Sequence, residues 1–249
     1  MSVMDRAKKL LLVSNSTLHG RGYLDHVEME IRDLLGSASQ VVFIPFALYE
    51  RGKYAQNAAA RFAEMGFTLT SIHDVSNARR TIEQADAIFV GGGNTFRLLK
   101  GLHDHALIAP IRARVAAGAP YIGSSAGSIV ACPSLKTTKD MPVVQPPSFE
   151  ALDLVPFQIS PHYLDPDPAS THMGETQEER IMQFLEENDQ AVVGLREGSY
   201  LRVEYGSVIL KGPNMARIFR RGERPSELAP GMDLAALLTE PVAAIGARA

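Results

Sequence analysis

Cysteine is nearly absent from this chain: 249 residues carry one, Cys132, so no disulfide can form within it. No apolar stretch approaches the length of a membrane span, and Met1 to Lys9, mixed and charged, leads into no signal-type apolar core. Neither sign of charge dominates. The net charge is -3 with acids and bases interspersed, which leaves no electrostatic footprint for nucleic acid or a membrane surface. Internal repeats and Pro/Gly/Ser-rich linkers are missing too. These absences describe a soluble cytoplasmic protein, one α/β domain over residues 1–249, with the Ala-rich residues 234–249 as a flexible tail. A chain of this length can bury a sizeable core.

What is present is a strand-helix rhythm. Leu10 to Val13, Val41 to Phe46, Phe67 to Ile72, Ala87 to Val90 and Tyr121-Ile122 are short apolar runs expected of strands buried on both faces. Between them lie helical patterns: Leu24, Val27, Ile31, Leu34 and Leu35 at helix spacing, then Tyr54 to Met65, Asn77 to Ala85, and Ile108 to Ala117 stopping at Gly118. The alternation predicts a three-layer sandwich around a mostly parallel sheet, whose functional loops follow the carboxyl ends of the strands. In the second half, Leu154 to Ile159 predicts a strand, Glu175 to Glu186 a helix and Ala191 to Leu195 a strand. Tyr200 to Glu204, Val208 to Lys211 and Ala216 to Arg220 predict a closing antiparallel meander, whose edge strands offer a surface for a homodimer.

Gly123-Ser124-Ser125-Ala126-Gly127 has the G-x-S-x-G form of a nucleophile elbow at a strand-to-helix turn. Such a turn lifts the serine off the strand and needs glycines on either side, where a Cβ would clash. A serine hydroxyl needs a general base. Of seven histidines, His19, His26, His73, His103 and His105 precede the elbow; His162, after a predicted strand and Pro161, is favoured over His172. Two acids qualify to orient that base, Glu197 after strand Ala191 to Leu195 and Asp140 in the loop after the elbow. The order Ser, His, Glu departs from the Ser, Asp, His order of α/β-hydrolases.

Gly91-Gly92-Gly93-Asn94-Thr95 follows a strand and opens a helix. It lacks the G-x-G-x-x-G spacing and the Lys-Ser/Thr pair of nucleotide loops, so its N–H groups suit an oxyanion better than a phosphate. The second donor of an elbow enzyme is the N–H after the nucleophile, here Ala126, with Gly93 as the partner from the separate loop.

Taken together, Leu12 to Thr17, Val41 to Ala47, Val90 to Phe96, the Ser-Ala-Gly elbow, Thr137 to Pro142, Pro161-His162-Tyr163, Gly174-Glu175-Thr176 and Gly194 to Gly198 resemble the peptidase E family of serine peptidases, the aspartyl dipeptidases. The match runs in order from about Leu10 to about Phe219. The resemblance implies a fold like the class I glutamine amidotransferases, with serine where those carry cysteine. It implies Ser125 as nucleophile, His162 as base, Glu197 as the acid behind it and Asp140 as a further acid near the site. Gly93 and Ala126 match the oxyanion positions, and Asn94, Tyr163 and Gln177 are expected to bind substrate, a short peptide. Neither metal nor organic cofactor is implied.

Two positions depart from the family pattern. Ser124 stands where many relatives have tryptophan before the nucleophile, which would open the wall of the site. Gln177 stands where relatives commonly have an arginine associated with the substrate's aspartate side chain. Loss of a charge-assisted, bidentate contact removes on the order of 1.5–3 kcal/mol, so preference for N-terminal aspartate is expected to weaken. Two alternatives keep the same pocket: a hydrolase of β-linked aspartyl polymer like the related cyanophycinases, and a non-catalytic protein that binds amino acids or peptides.

Overall fold

Continuous apolar strands alternating with half-apolar helices give a sheet covered on both faces. The computed structural model describes residues 8–171 and 173–239. In chain order come β1 (Lys9–Val13), α1 (Glu28–Leu35), β2 (Gln40–Ile44), α2 (Arg51–Glu64), β3 (Thr68–Ser71), α3 (Ala78–Glu83) and β4 (Ala87–Val90). Then follow α4 (Thr95–Asp104), α5 (Ile108–Ala116), β5 (Tyr121–Ser124) and α6 (Ala126–Val130). The second half holds β6 (Gln158–Pro161), α7 (Gln177–Glu187), β7 (Val192–Leu195), β8 (Tyr200–Glu204), β9 (Ser207–Lys211), β10 (Ala216–Phe219) and β11 (Ser226–Leu228).

The larger sheet has the order β3-β2-β4-β5-β1-β8-β9, with β1 to β5 parallel and β8 and β9 antiparallel at one side. Period-two alternation divides its residues between two cores. Leu11, Val13, Phe43, Phe89 and Ile122 face α1 and α2, where Ile31, Leu34, Ala58 and Phe62 are buried. Leu10, Leu12, Ile44, Val90 and Tyr121 face the other way, onto α4 and α5 and onto Ile159, Val193, Leu195 and Ile218. Those last four belong to a smaller sheet, β11-β10-β7-β6, in which β6 and β7 are parallel and the rest antiparallel. Its outer face buries Tyr163, Val192 and Phe219 beneath Ile181 and Leu185 of α7. The fold is the mostly parallel α/β sandwich that the alternation predicts, with a second sheet in one covering layer.

Four sequence expectations are corrected. The run Leu154 to Ile159 becomes a strand only from Gln158, because Leu154, Val155 and Phe157 are buried as loop residues in the core between the sheets. The closing strands do not form one meander: β8 and β9 extend the large sheet, while β10 crosses to pair with β7. β9, the middle strand of the expected meander, is instead the last strand of the large sheet, and its outer side is covered by the chain itself, with Val208 N donating to Asp233 Oδ1 (3.0 Å) and Leu210 N to Met232 O (3.2 Å). Leu234 and Leu237, read as the start of the tail, are buried beside β9, the latter in a 3-10 turn (Ala235–Leu238). Residues 240–249 lie outside the described residues. No helix among the described residues is long and apolar enough to cross a membrane.

Candidate active site

β5 delivers the elbow. Ser125 follows it at φ 51°, ψ -108°, a left-handed backbone that a non-glycine residue rarely holds. The turn is over-determined by its neighbours. Ser125 N donates to Val13 O (2.9 Å), Ser128 Oγ donates to Val13 O and Gly123 O, and the buried Tyr121 hydroxyl donates to Gly127 O (2.7 Å). A Cβ on Gly127 would stand 2.1 Å from Val90 O, and one on Gly123 2.5 Å from Gly127 O. Both glycines of the G-x-S-x-G pattern are therefore required by close backbone approach.

The smaller sheet supplies the partners. His162 leaves the carboxyl end of β6, and its Nε2 lies 3.0 Å from Ser125 Oγ. Glu197 leaves the end of β7, and its Oε1 lies 2.7 Å from His162 Nδ1. That contact fixes the tautomer: Nδ1 donates to the carboxylate, and Nε2 is left to accept from the serine hydroxyl. Among the described residues, His162 is the histidine placed against Ser125. His172 lies outside the described residues.

Asp140 lines the same cleft but is bonded to other groups than His162. Its Oδ2 accepts from Thr95 N (2.7 Å), Thr95 Oγ1 (2.6 Å) and Thr138 Oγ1 (3.1 Å). It closes the amino end of α4, where a carboxylate meets the helix dipole and otherwise unpaired N–H groups. It thereby also anchors the end of the glycine loop that precedes α4.

In that loop, Gly91 N donates to Ile44 O, Asn94 N to Ala47 O and Thr95 N to Asp140. The Tyr54 hydroxyl, bonded by Tyr23, stands beside this loop, and burial raises its pKa. Among the described residues neither Gly92 nor Gly93 N–H donates to a protein acceptor, and the φ of +131° at Gly93 suits glycine. Gly92 packs against Ser125, since a Cβ there would lie 3.1 Å from the serine Cβ. Gly92, Gly93, Ser125, Asp140 and His162 line one open cleft of about 440 Å³. An acyl carbon held there could meet a hydroxyl, a base and N–H donors together.

Three residues expected at the substrate are otherwise engaged. Asn94 is the N-cap of α4: its Oδ1 accepts from Arg97 N (3.0 Å) and its Nδ2 donates to Met141 O (2.9 Å). Tyr163 is buried in the core beneath α7 with Ile181, Leu185 and Phe219, and it does not line the cleft. Gln177 donates from Nε2 to His162 O (3.2 Å) and accepts at Oε1 from Leu164 N (3.0 Å) and Lys139 Nζ (3.2 Å). Ser124, expected to open the wall, is fully buried and does not line the cleft.

Sequence reasoning missed the groups that hold the loops of His162 and Glu197. Ser14, buried just past β1, accepts from His162 N (2.9 Å) and donates to Leu195 O (2.8 Å). Asn15 Oδ1 accepts from Gly198 N (2.7 Å), and Asn214 Nδ2 donates to Glu197 O (2.7 Å). The position of Ser14 and Asn15 after an apolar strand was the available signal, since Gly92, Gly93, Ser125 and His162 in the cleft also follow strands.

Comparison with known proteins finds similarity to a peptidase family. The family model described as Peptidase family S51 matches residues 10–211. A protein of Streptomyces coelicolor named Peptidase E is 52% identical over 229 residues, 92% of this chain and 94% of that one. A Drosophila melanogaster protein named Probable alpha-aspartyl dipeptidase is 47% identical over 238 residues, 94% of this chain and 99% of that one. Among solved structures, a putative peptidase E protein from Listeria monocytogenes superposes with a TM-score of 0.63 at 24% identity, over 83% of this chain and 99% of that one. A peptidase from an acI-B1 Actinobacterium gives 0.68 at 15% identity, over 91% and 96%. At those identities the two structures speak for the fold alone.

Proposed function

Because the chain belongs to peptidase family S51, we propose that it is a serine-type dipeptidase that cleaves short peptides after a free amino-terminal residue. The observation that carries this reading is the unbroken chain of contacts from Ser125 Oγ through the His162 ring to Glu197, at 3.0 and 2.7 Å.

In this reading His162 Nε2 takes the hydroxyl proton as Ser125 Oγ attacks the scissile carbonyl. The negative charge that develops rests on the N–H groups of Gly93 and Ala126, and Glu197 holds the imidazolium. His162 returns the proton to the leaving amine. Water, activated by the same nitrogen, then releases the acyl group. Asp140 supports the reaction by fixing the start of α4 and the loop before it.

Selectivity for aspartate is relaxed. Neither lysine nor arginine lines the described cleft, Asp140 adds an acid to it, and Gln177 is engaged with the main chain around His162. An acidic substrate side chain therefore finds no direct cationic partner. The site lies in a chain with one cysteine, buried and free, which suits work in the cytoplasm.

The test is hydrolysis of a dipeptide panel by the wild type beside Ser125→Ala. Turnover of Ala-X, Ser-X and Gly-X within about a hundredfold of Asp-X, all abolished in the variant, is expected. Undiminished turnover by Ser125→Ala would remove the assignment, and a preference for Asp-X beyond that range would remove the relaxed selectivity.

A further inference from the structure

We infer that Lys139 is a positioning residue for His162: together with Gln177 it holds the main chain of that residue in the conformation from which one ring reaches both Ser125 and Glu197. The inference rests on the peptidase reading above and goes beyond it.

His162 has φ 51°, the left-handed region, which is unfavourable for a residue with a Cβ and persists only where surroundings impose it. Its two main-chain polar groups are both held. The N–H donates to Ser14 Oγ, and the carbonyl accepts from Lys139 Nζ (3.0 Å) and Gln177 Nε2 (3.2 Å). Lys139 Nζ also donates to Pro161 O (2.7 Å) and to Gln177 Oε1 (3.2 Å), and Gln177 Oε1 accepts in turn from Leu164 N. One ammonium and one amide thus grip the chain at residues 161, 162 and 164.

An ammonium has three N–H donors, and here all three have acceptors supplied by the protein. None of the three is a carboxylate, and no ion pair is formed by Lys139 among the described residues. A lysine placed merely for surface charge would face solvent or an acid. This one is half-buried, and it joins the loop after the elbow to the end of β6 and the residue that follows it. Burial also lowers its pKa to about 8, which accords with an ammonium held by neutral acceptors.

The experiment compares wild type with Lys139→Met, Lys139→Arg and, as a control, Lys136→Met, whose ammonium contacts Asn188 Oδ1 outside this network. Two readouts are taken: kcat and KM on Ala-X and Asp-X dipeptides, and the rate at which a small phosphonofluoridate labels Ser125, followed by intact mass. For Lys139→Met, kcat should fall about 10- to 100-fold on both substrates, with KM little changed and labelling slowed in step. Lys139→Arg should recover most of the loss, and Lys136→Met should match wild type. Unchanged kcat and labelling would overturn the inference. So would a loss confined to KM for Asp-X, which would make Lys139 a charge partner of substrate. If Lys139→Met does not fold, Lys139→Gln, which keeps donors without charge, takes its place. A wild type that labels at Ser125 but cleaves no dipeptide would refute the dipeptidase reading, and slower labelling of Lys139→Met would still support the positioning role.

Discussion

Glu197 and His162 meet at 2.7 Å through Oε1 and Nδ1, on the side of the imidazole opposite Ser125. Asp140, the other acid the sequence offers, instead accepts three hydrogen bonds at the start of α4. The two acids should therefore fail in different ways.

Glu197→Gln keeps the shape but can present its N–H₂ to Nδ1, favouring the wrong tautomer. We expect kcat to fall by about 10²- to 10⁴-fold with the melting temperature nearly unchanged. Asp140→Ala should lose about 1–2 kcal/mol of stability through the unsatisfied helix end, with a smaller fall in kcat. Denaturation curves and steady-state kinetics on the two variants check this. Equal kinetic losses without destabilisation in Asp140→Ala would make it the orienting acid.

Gly127→Ala should be far more damaging than its size suggests. The added methyl meets Val90 O at 2.1 Å, so β4 or the elbow must shift. A loss of at least about 3 kcal/mol is expected, read from urea unfolding, together with loss of activity. Native-like stability would show that the elbow has room to move.

The pH profile should carry a limb from Lys139. Burial lowers its pKa to about 8, Asp140 and Glu197 oppose that shift, and Arg180 on α7 adds to it. Above about pH 8 the ammonium becomes an amine with two N–H groups for three acceptors, so kcat/KM should decline there. The sign for stability is opposite. The unfolded chain keeps the proton up to the ordinary lysine value of 10.5, so between about 8 and 10.5 the folded state binds fewer protons and stability from this group rises with pH. Lys139→Arg should remove the alkaline decline. A wild-type profile flat to pH 10 would contradict the expectation.

Gln177→Arg tests the departure from the family pattern. A guanidinium cannot accept from Leu164 N or Lys139 Nζ, and it adds a cation beside the ammonium. We expect kcat to fall by about tenfold on neutral dipeptides, while the ratio of Asp-X to Ala-X rises. Unaltered kcat on Ala-X would show that the amide's contacts are dispensable.

The parallel strands were legible because burial on both faces leaves unbroken apolar runs, and Ala87–Val90 is the clearest case. The assignment of β10 was not, since an antiparallel strand reads alike whichever sheet receives it. Leu154 and Val155 are apolar because a loop is buried between sheets, a context that periodicity cannot separate from a strand. Within the site, Ser125, His162 and Glu197 could be found because each follows a strand. Asn94 carried a second meaning that was readable, since asparagine before a helix is a capping residue. The burial of Tyr163 was not readable, because the left-handed turn at His162 interrupts the strand's alternation just before it. Ser14 and Lys139 act through hydrogen bonds to residues 148 and 23 positions away, and no local pattern encodes such partners.

The serine rides on the large sheet while its imidazole and carboxylate ride on the small one. Hydrolysis is thus a gauge of how two separately hydrogen-bonded slabs are seated on each other. A perturbant that lets the β6-β7-β10-β11 slab slip by an ångström would silence the enzyme while its circular dichroism still looked native.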